Sequence, residues 1–252
     1  MQPPNLSRAS FWRTDRRLRN SGLVAYNAVM ASAEKSETIG VLASGGLDSS
    51  ILIGHLLREG RKVQPFYIRT GLLWQAEELP ALTRFLAAVA THDLARLVVL
   101  DLPLADLYDG HWSLTGRDTP ASDSPDEAVY LPGRNALLIV KAAVWCQLHS
   151  IAELALAPLG TSPFEDASDS FLHDFQIAIN RGCDRPVRLL RPFGEMNKRQ
   201  VMALGRGLPL ELTFSCISPS KGRHCGRCNK CAERQAAFGE ADITDRTEYA
   251  NV

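Results

Sequence analysis

Short apolar runs alternate along the chain with polar turns and with stretches whose apolar residues recur at helical spacing. The runs typical of buried strands are residues 38–43, 63–68, 97–102, 151–157 and 187–190. The helical stretches begin near residues 49, 75, 134, 171 and 197. Strands that alternate with helices predict an α/β fold, a doubly wound parallel sheet in which ligands bind beyond the carboxyl ends of the strands.

The turn after the first strand has the composition of an anion site. It reads Ser44, Gly45, Gly46, Leu47, Asp48 and Ser49. Adjacent glycines let the backbone approach a phosphate, and the free N–H groups of the following helix would point at that phosphate. Ser44 and Ser49 can donate hydrogen bonds, and Asp48 suits a Mg²⁺ ion that bridges phosphates. For the glycine pair alone, a plain turn with Asp48 as helix cap is the alternative.

The complete string is more specific than its glycines. It lacks the spacing and the lysine of a Walker P-loop, and it is not a G-x-G-x-x-G turn. SGGLDSS after an apolar strand resembles the PP-loop of the ATP pyrophosphatase superfamily. The resemblance implies cleavage of ATP between its α and β phosphates and transfer of AMP to a substrate oxygen. A nitrogen or sulfur nucleophile would then displace the AMP.

Two cations farther along the chain are candidates for contact with the phosphates. Gly133 and Arg134 follow a proline at the start of the third predicted helix, where an arginine can pair with a phosphate or carboxylate. Lys198 lies in the first turn of the fifth predicted helix, where the helix dipole disfavours a cation, so an anionic ligand is indicated nearby. The alternative for each side chain is a solvated surface position. The long polar loop 109–127 favours a lid.

Four of the six cysteines lie near the C-terminus with the spacing C-x8-C-x2-C-x2-C. They are Cys216, Cys225, Cys228 and Cys231. Four thiolates with two C-x-x-C steps can close a tetrahedron around Zn²⁺, and a site with all four positions filled is structural rather than catalytic. An iron–sulfur cluster is the alternative, because four cysteines can hold either group.

Composition and charge narrow the classes of partner. Of 252 residues, 45% are hydrophobic, and 28 basic side chains balance 28 acidic ones, so no net field draws the chain to nucleic acid or to a membrane. No apolar run predicts a membrane span or a signal peptide, so we expect a cytoplasmic protein.

We divide the chain into an arginine-rich arm at residues 1–37, an ATP-binding domain at residues 38–210 and a zinc-binding helical segment at residues 211–252. The arm is typical of a solvated tail or of a segment that binds a partner or RNA.

The three motifs together resemble the 7-cyano-7-deazaguanine synthase family of the queuosine pathway. SGGLDSS, YLPGRN and C-x8-CGRC-x2-C carry the likeness, which extends from about residue 39 to 238 and includes Glu77, Lys198 and the ELTFSC string before the cluster. It implies an adenine nucleotide α-hydrolase-like fold, related to the Rossmann fold, that binds ATP. It also implies that the carboxylate of 7-carboxy-7-deazaguanine is activated and that ammonia converts it to an amide and then to a nitrile.

Two segments depart from the family pattern. Residues 71–74 read GLLW where the family has a polar GQRH-like string, and residues 160–171 replace an acidic substrate loop that contains glycine and cysteine. Leu72, Leu73 and Trp74 would make the substrate wall more apolar, which suits a flat ring or a hydrophobic chain. A paralogue that adenylates another acid, or a protein or RNA partner, is therefore an alternative. A non-catalytic ATP-binding accessory protein is another.

We expect catalysis by positioning and electrostatics. Asp48 would hold Mg²⁺, while Arg134 and Lys198 would neutralise the charge that develops on the phosphates during formation of an acyl-adenylate. The sequence singles out no general base. The expected partners are a small-molecule carboxylate, ammonia and a second copy of the chain in a homodimer. We expect no interaction with a membrane.

Overall fold

A parallel sheet of five strands in the order β3-β2-β1-β4-β5 lies at the centre of the fold. The computed structural model describes residues 38–183 and 185–250, and the predicted arginine-rich arm lies outside them. The strands are β1 Thr38–Leu42, β2 Lys62–Arg69, β3 Val98–Asp101, β4 Glu153–Ala155 and β5 Arg188–Leu190. All five predicted strands are confirmed, with small differences at their ends.

Seven α-helices are present within the described residues, and they include all five predicted ones. They are α1 Leu47–Arg58, α2 Gln75–Ala88, α3 Trp112–Thr115, α4 Arg134–Leu148, α5 Asp169–Arg181, α6 Lys198–Leu204 and α7 Asn229–Glu240. Short 3₁₀ helices occupy Asp126–Val129, Glu165–Ala167 and Leu210–Leu212. Among the described residues, no helix combines the length and the apolar character that crossing a bilayer requires.

Both faces of the sheet are covered by helices, as the doubly wound prediction requires. On one face Ile39 and Val41 of β1 belong to a core that includes residues of α1, α2, α6 and α7. On the other face Phe66 of β2 belongs to a core with residues of α4 and α5. A Cβ atom at Gly40 would lie 2.9 Å from the Phe66 ring and 3.1 Å from the sulfur of Cys146 in α4, so glycine lets this helix pack close to the centre of the sheet.

The strand order reverses between β1 and β4. β1 pairs with β2 on one side and with β4 on the other, so the loops that leave the carboxyl ends of β1 and β4 diverge and leave a crevice between them. The C-terminal segment packs against the same unit, because Ala237 and Phe238 of α7 join the core on the α1 face. The division of the chain at residue 210 stays a prediction.

Candidate active site

A cavity of about 410 Å³ opens at the carboxyl ends of β1 and β4, in the crevice where the strand order reverses. The predicted nucleotide and catalytic residues on its wall are Ser44, Gly46, Leu47, Asp48, Ser49, Arg134 and Lys198. The structure therefore brings together side chains from three separate parts of the chain. The volume lies within the range of small-molecule sites.

Serine hydroxyl groups hold the turn between β1 and α1 in shape. The Oγ atoms of Ser44 and Ser49 are 3.2 Å apart, and the Ser49 Oγ also accepts a hydrogen bond from the Ser44 amide at 3.2 Å. The Gly46 amide donates to the Ser44 Oγ at 3.3 Å. α1 begins at Leu47, so the amides of Leu47, Asp48 and Ser49 lack acceptors within the helix, and these three residues line the cavity.

Gly45 and Gly133 are the two predicted glycines that do not line the cavity, and each allows a backbone conformation that the turn or the helix start requires. Gly45 has a φ of +81°, and a Cβ atom there would lie 3.1 Å from the carbonyl oxygen of Glu78. Gly133 has a φ of +71° and is the N-cap of α4, so it sets the direction from which Arg134 enters the helix. Both positions use the left-handed region that favours glycine.

Asp48 begins a chain of ion pairs along the cavity wall. The Lys198 ammonium lies 2.9 and 2.8 Å from the two carboxylate oxygens of Asp48, and 2.8 Å from an oxygen of Glu233. Lys230 donates to the other Glu233 oxygen at 2.6 Å. The anion that faces Lys198 is therefore supplied by the protein itself, and it offsets the unfavourable position of a lysine at the start of α6.

The ion pairs keep Glu233 and Lys198 charged, whereas burial raises the pKa of Asp48 above its ordinary value against the opposing effect of Lys198. Burial by itself would raise the pKa of Glu233, but Lys198 and Lys230 outweigh burial and lower that pKa to about 2. Burial by itself would lower the pKa of Lys198, but Asp48 and Glu233 raise it above its ordinary value. An ammonium is thus fixed beside the turn between β1 and α1 at neutral pH.

A third carboxylate, Glu78 of α2, lies behind the turn and lines the same cavity. The Tyr67 hydroxyl donates a hydrogen bond of 2.6 Å to Glu78 Oε2, and both side chains are buried. Burial raises the pKa of Glu78 to about 7, against the opposing effects of Tyr67, Arg134 and Trp74.

Arg134 Nε is buried and has no hydrogen-bond partner within the described part of the chain, so this guanidinium retains a donor for a ligand.

Aromatic side chains form another part of the cavity wall. Trp74 and Trp112 stack with ring centroids 5.8 Å apart, and Tyr130 and Phe164 stack at 5.4 Å. Of Leu72, Leu73 and Trp74, the three apolar side chains expected on the substrate wall, only Trp74 lines the cavity. Leu72 is buried in the core next to the cysteine cluster, and Leu73 is 40% exposed. Flat rings of this kind favour a flat ligand.

The four predicted cysteines converge on one point, where they could hold a metal ion. Their sulfur atoms all lie within 4.8 Å of one another, and the Cys216–Cys228 and Cys225–Cys231 pairs are each 3.9 Å apart. The amides of Ser218 and Cys225 point at the Cys216 sulfur at 3.4 and 3.3 Å, as expected for a thiolate acceptor. Gly226 has a φ of +78°, which permits the tight turn between Cys225 and Cys228.

The cysteine cluster and the cavity share helix α7. Cys228 is the N-cap of this helix and Cys231 lies in its first turn. Lys230, Glu233 and Arg234, on the same two turns, all line the cavity. Arg234 is 1% exposed and donates to Leu210 O at 2.8 Å and to Thr213 Oγ1 at 2.8 Å. A metal held by the cysteines would therefore also hold three charged residues of the site in position.

A comparison with protein-family models matches residues 38–242 to the family described as queuosine biosynthesis protein QueC. That range includes the phosphate loop, the YLPGRN turn and all four clustered cysteines. The chain belongs to the QueC family. The resemblance found from the three motifs is confirmed.

The relatives of this QueC-family chain are similar to it over most of their length. The 7-cyano-7-deazaguanine synthase of Anaeromyxobacter dehalogenans is 29% identical over 222 residues, which cover 83% of this chain and 94% of the relative. The enzyme of the same name from Desulfotalea psychrophila is 28% identical, with 83% and 97% covered. A crystal structure titled as a predicted subunit of tRNA methyltransferase from Methanocaldococcus jannaschii gives a TM-score of 0.44 at 16% identity, with 66% of this chain and 73% of that chain covered.

Several residues of this QueC-family site were not identified from the sequence. The carboxylates Glu78 and Glu233 lie in helices, where an acidic residue is typical of a solvated face. Trp112 lies in the polar loop 109–127, in which the sequence indicated a lid but no particular contact. One signal was available for Glu233, because it lies two residues after a predicted metal ligand. No signal in the sequence singles out Glu78 from its neighbour Glu77.

Proposed function

We propose that this chain is an ATP-dependent carbon–nitrogen ligase that converts a carboxylate to an amide and then to a nitrile with ammonia. The acid and product that the family indicates are 7-carboxy-7-deazaguanine and 7-cyano-7-deazaguanine. The observation that carries the proposal is a single cavity that has a phosphate-binding turn and the Asp48–Lys198 pair on one part of its wall, and stacked aromatic rings on another. Relatives named 7-cyano-7-deazaguanine synthase support the choice of acid.

The triphosphate of ATP fits the turn between β1 and α1. The first amides of α1 and the Ser44 and Ser49 hydroxyl groups would donate to phosphate oxygens, and Arg134 Nε is available for the same purpose. A carboxylate at Asp48 suits Mg²⁺, which would be held there and would neutralise charge on the phosphates. Lys198, already charged and held in place, would stabilise the negative charge that develops on the phosphates.

The acid would bind with its ring against the aromatic side chains and its carboxylate toward the turn. An oxygen of that carboxylate attacks the α-phosphorus, a P–O bond forms, and pyrophosphate leaves. Ammonia then attacks the acyl carbon, a C–N bond forms, and AMP leaves with the electron pair of the C–O bond. The main contribution of the protein is to hold the acid and the α-phosphate close together.

We assign the ion of the cysteine cluster as Zn²⁺ with a structural role. Tetrahedral zinc with Zn–S bonds of about 2.3 Å needs sulfur atoms about 3.8 Å apart, and the Cys216–Cys228 and Cys225–Cys231 sulfur pairs are each 3.9 Å apart. An iron–sulfur cluster would need space for several iron and sulfide atoms among the same thiolates. With four thiolates there is no open position for a metal-bound water, so the ion would hold α7 in place.

The proposed homodimer has an available surface on α4. Val140, Val144 and Leu148 lie one turn apart from each other on one side of this helix and are 42%, 39% and 75% exposed. Association of two such surfaces would remove apolar area from water. Light scattering that gives the mass of a monomer at micromolar concentration would refute the dimer without affecting the proposed reaction.

Two measurements test the proposed reaction. Mass spectrometry of a mixture of enzyme, ATP, Mg²⁺, ammonia and 7-carboxy-7-deazaguanine should detect the nitrile product. Labelled pyrophosphate should enter ATP only when the acid is present, and this exchange should fall by at least about 100-fold in Asp48→Asn, since that variant loses the proposed metal ligand. Asp174→Asn, at an exposed position on α5, is the matched control. A wild-type chain that shows neither product nor acid-dependent exchange with this acid or related acids would refute adenylation.

A further inference from the structure

The Glu78 carboxylate lies directly behind the phosphate-binding turn. A Cβ atom at Gly45 would be 3.3 Å from Glu78 Cγ, so the absence of a side chain at Gly45 is what allows this glutamate to pack against the turn. Glu78 is 8% exposed and lines the cavity together with Tyr67. An acid placed with its carboxylate at the turn would therefore have Glu78 within the same enclosed space.

Glu78 differs from the other buried or partly buried carboxylates of the cavity in its partners. Asp48 and Glu233 are each held by lysine ammonium groups. Both carboxylate oxygens of Asp166 accept hydrogen bonds from Asn135, one from its backbone N–H and one from its side-chain Nδ2. Glu78 instead accepts a hydrogen bond from a phenol, Tyr67.

The groups that act on the Glu78 carboxylate come from three elements. They are Tyr67 of β2, Trp74 immediately before α2 and Arg134 of α4. Each of the three lowers the pKa of Glu78, while burial raises it, and the balance leaves the pKa at about 7. A carboxylate in this range can both accept and release a proton at neutral pH, which is the property of an effective general base.

We propose that Glu78 is the general base that accepts the protons lost by the attacking nitrogen. This inference rests on the proposed function. When ammonia attacks the acyl carbon, its lone pair forms the C–N bond, and AMP leaves with the electrons of the C–O bond. The nitrogen, now positively charged, loses a proton to the Glu78 carboxylate, which later returns it to water. In the second round the amide oxygen attacks the α-phosphorus of another ATP, and the remaining N–H protons leave by the same route as AMP departs and the nitrile forms.

The two half-reactions separate this proposal from the proposed function. Adenylation of the acid requires no proton transfer to Glu78, whereas capture of the acyl group by ammonia does. In Glu78→Gln we expect acid-dependent pyrophosphate exchange within about twofold of wild type and single-turnover amide formation slower by about 100-fold or more. Glu240→Gln, at an exposed position at the end of α7, should leave both rates unchanged.

The pattern of outcomes is decisive for each proposal. Absence of exchange in the wild-type chain would refute adenylation itself. With exchange present in the wild type, normal amide formation in Glu78→Gln would overturn only the role of Glu78. Equal loss of both half-reactions in a folded Glu78→Gln chain would also overturn it, because that result indicates a role in binding or structure.

A second variant tests the base through its pH dependence and does not require Glu78 to be replaced. The Tyr67 hydrogen bond lowers the pKa of Glu78, so Tyr67→Phe should raise that pKa. The rate of amide formation, measured at a constant concentration of free ammonia, should then rise with pH through a midpoint that is higher than in wild type. The pH profile of pyrophosphate exchange should not move. An unchanged or lower midpoint for amide formation would overturn the proposal.

Discussion

The Lys198 ammonium lies 2.9 and 2.8 Å from the two carboxylate oxygens of Asp48, although 150 positions separate the two residues in the sequence. The contact joins the start of α6 to the first turn of α1, beside the phosphate-binding turn. Glu233 of α7 holds the same ammonium at 2.8 Å, so three helices meet at this point. Lys198 is thus shared between the proposed Mg²⁺ ligand and a residue of α7, the helix that begins at Cys228 and contains Cys231.

The sharing of Lys198 predicts a link between Glu233 and the Mg²⁺ requirement. The structure pairs Lys198 with two carboxylates, Asp48 and Glu233. In Glu233→Gln the ammonium keeps only Asp48 of these two, so the Asp48–Lys198 ion pair becomes stronger and Mg²⁺ must compete with it for Asp48. A hydrogen bond to a charged group contributes about 1.5–3 kcal/mol, so we expect the Mg²⁺ concentration for half-maximal activity to rise roughly tenfold. A Mg²⁺ titration of activity measures this, with Glu240→Gln as the control. An unchanged Mg²⁺ requirement would contradict the linkage.

Removal of the metal ion proposed for the cysteine cluster should lower the stability of the fold and disturb the positions of the site residues on α7. Cys228→Ser removes a ligand at the start of α7, and a loss of about 3 kcal/mol would lower Tm by about 10 °C in a chain of this size. We expect elemental analysis to find one zinc per chain in wild type and much less in the variant. Cys183→Ser, outside the cluster, should retain both zinc and Tm. Visible absorbance typical of iron–sulfur groups in the purified chain would contradict the assignment of zinc.

Trp74 should determine the affinity for the acid rather than for ATP. Stacking of a base on an aromatic side chain contributes about 1–3 kcal/mol, so Trp74→Ala should raise KM for the acid about tenfold or more. The KM for ATP should change little, because the triphosphate is expected at the turn. Leu73→Ala is a matched control, since Leu73 is the adjacent apolar residue, is exposed, and does not line the cavity. Equal effects on both KM values, or equal effects of the two variants, would argue against a ring-binding role for Trp74.

The buried Glu153 should make the fold sensitive to acid. Glu153 of β4 accepts from Arg61 and Arg188, and these two guanidinium groups lower its pKa below the ordinary value although burial opposes them. A depressed pKa stabilises the folded state above the unfolded-state pKa of about 4.5, and that contribution is lost as the pH falls through the folded-state value.

The matching variant is Glu153→Gln, which leaves the arginines without their carboxylate. We expect it to lower the free energy of unfolding at pH 7 by about 3 kcal/mol, as measured by urea denaturation. The difference from wild type should shrink as the pH falls below about 4.5. A difference that is constant from pH 7 to pH 3 would show that the ionised form of Glu153 contributes no stability.

The features that the sequence predicted well depend on residues close together in the chain. A strand is recognised from a run such as 38–42, and the cysteine cluster from spacings of two and eight residues, because local backbone geometry brings such residues to one place. The boundaries of the elements were less accurate. α1, for instance, begins at Leu47 rather than at Ser49, because the end of a helix is set by backbone geometry that the spacing of apolar residues does not locate to within two residues.

Contacts between distant segments could not be predicted in this way. Nothing near Lys198 in the sequence indicates that Asp48 and Glu233 are its partners, since their approach follows from how α1, α6 and α7 pack on one face of the sheet. For the same reason the sequence identified no general base. The properties of Glu78 depend on its burial against Gly45 and on the hydroxyl of Tyr67, which a neighbouring strand supplies.

The sequence by itself determined the α/β class, the glycine-rich turn after β1, the set of four cysteines that cluster and the family, because each of these follows from residue types at short and regular spacing. Only the tertiary structure decided which charges meet, which aromatic rings form the cavity wall and which glutamate is buried there. Those properties depend on burial and on distances of a few ångströms between segments far apart in the chain, and such distances are set by packing of the whole fold.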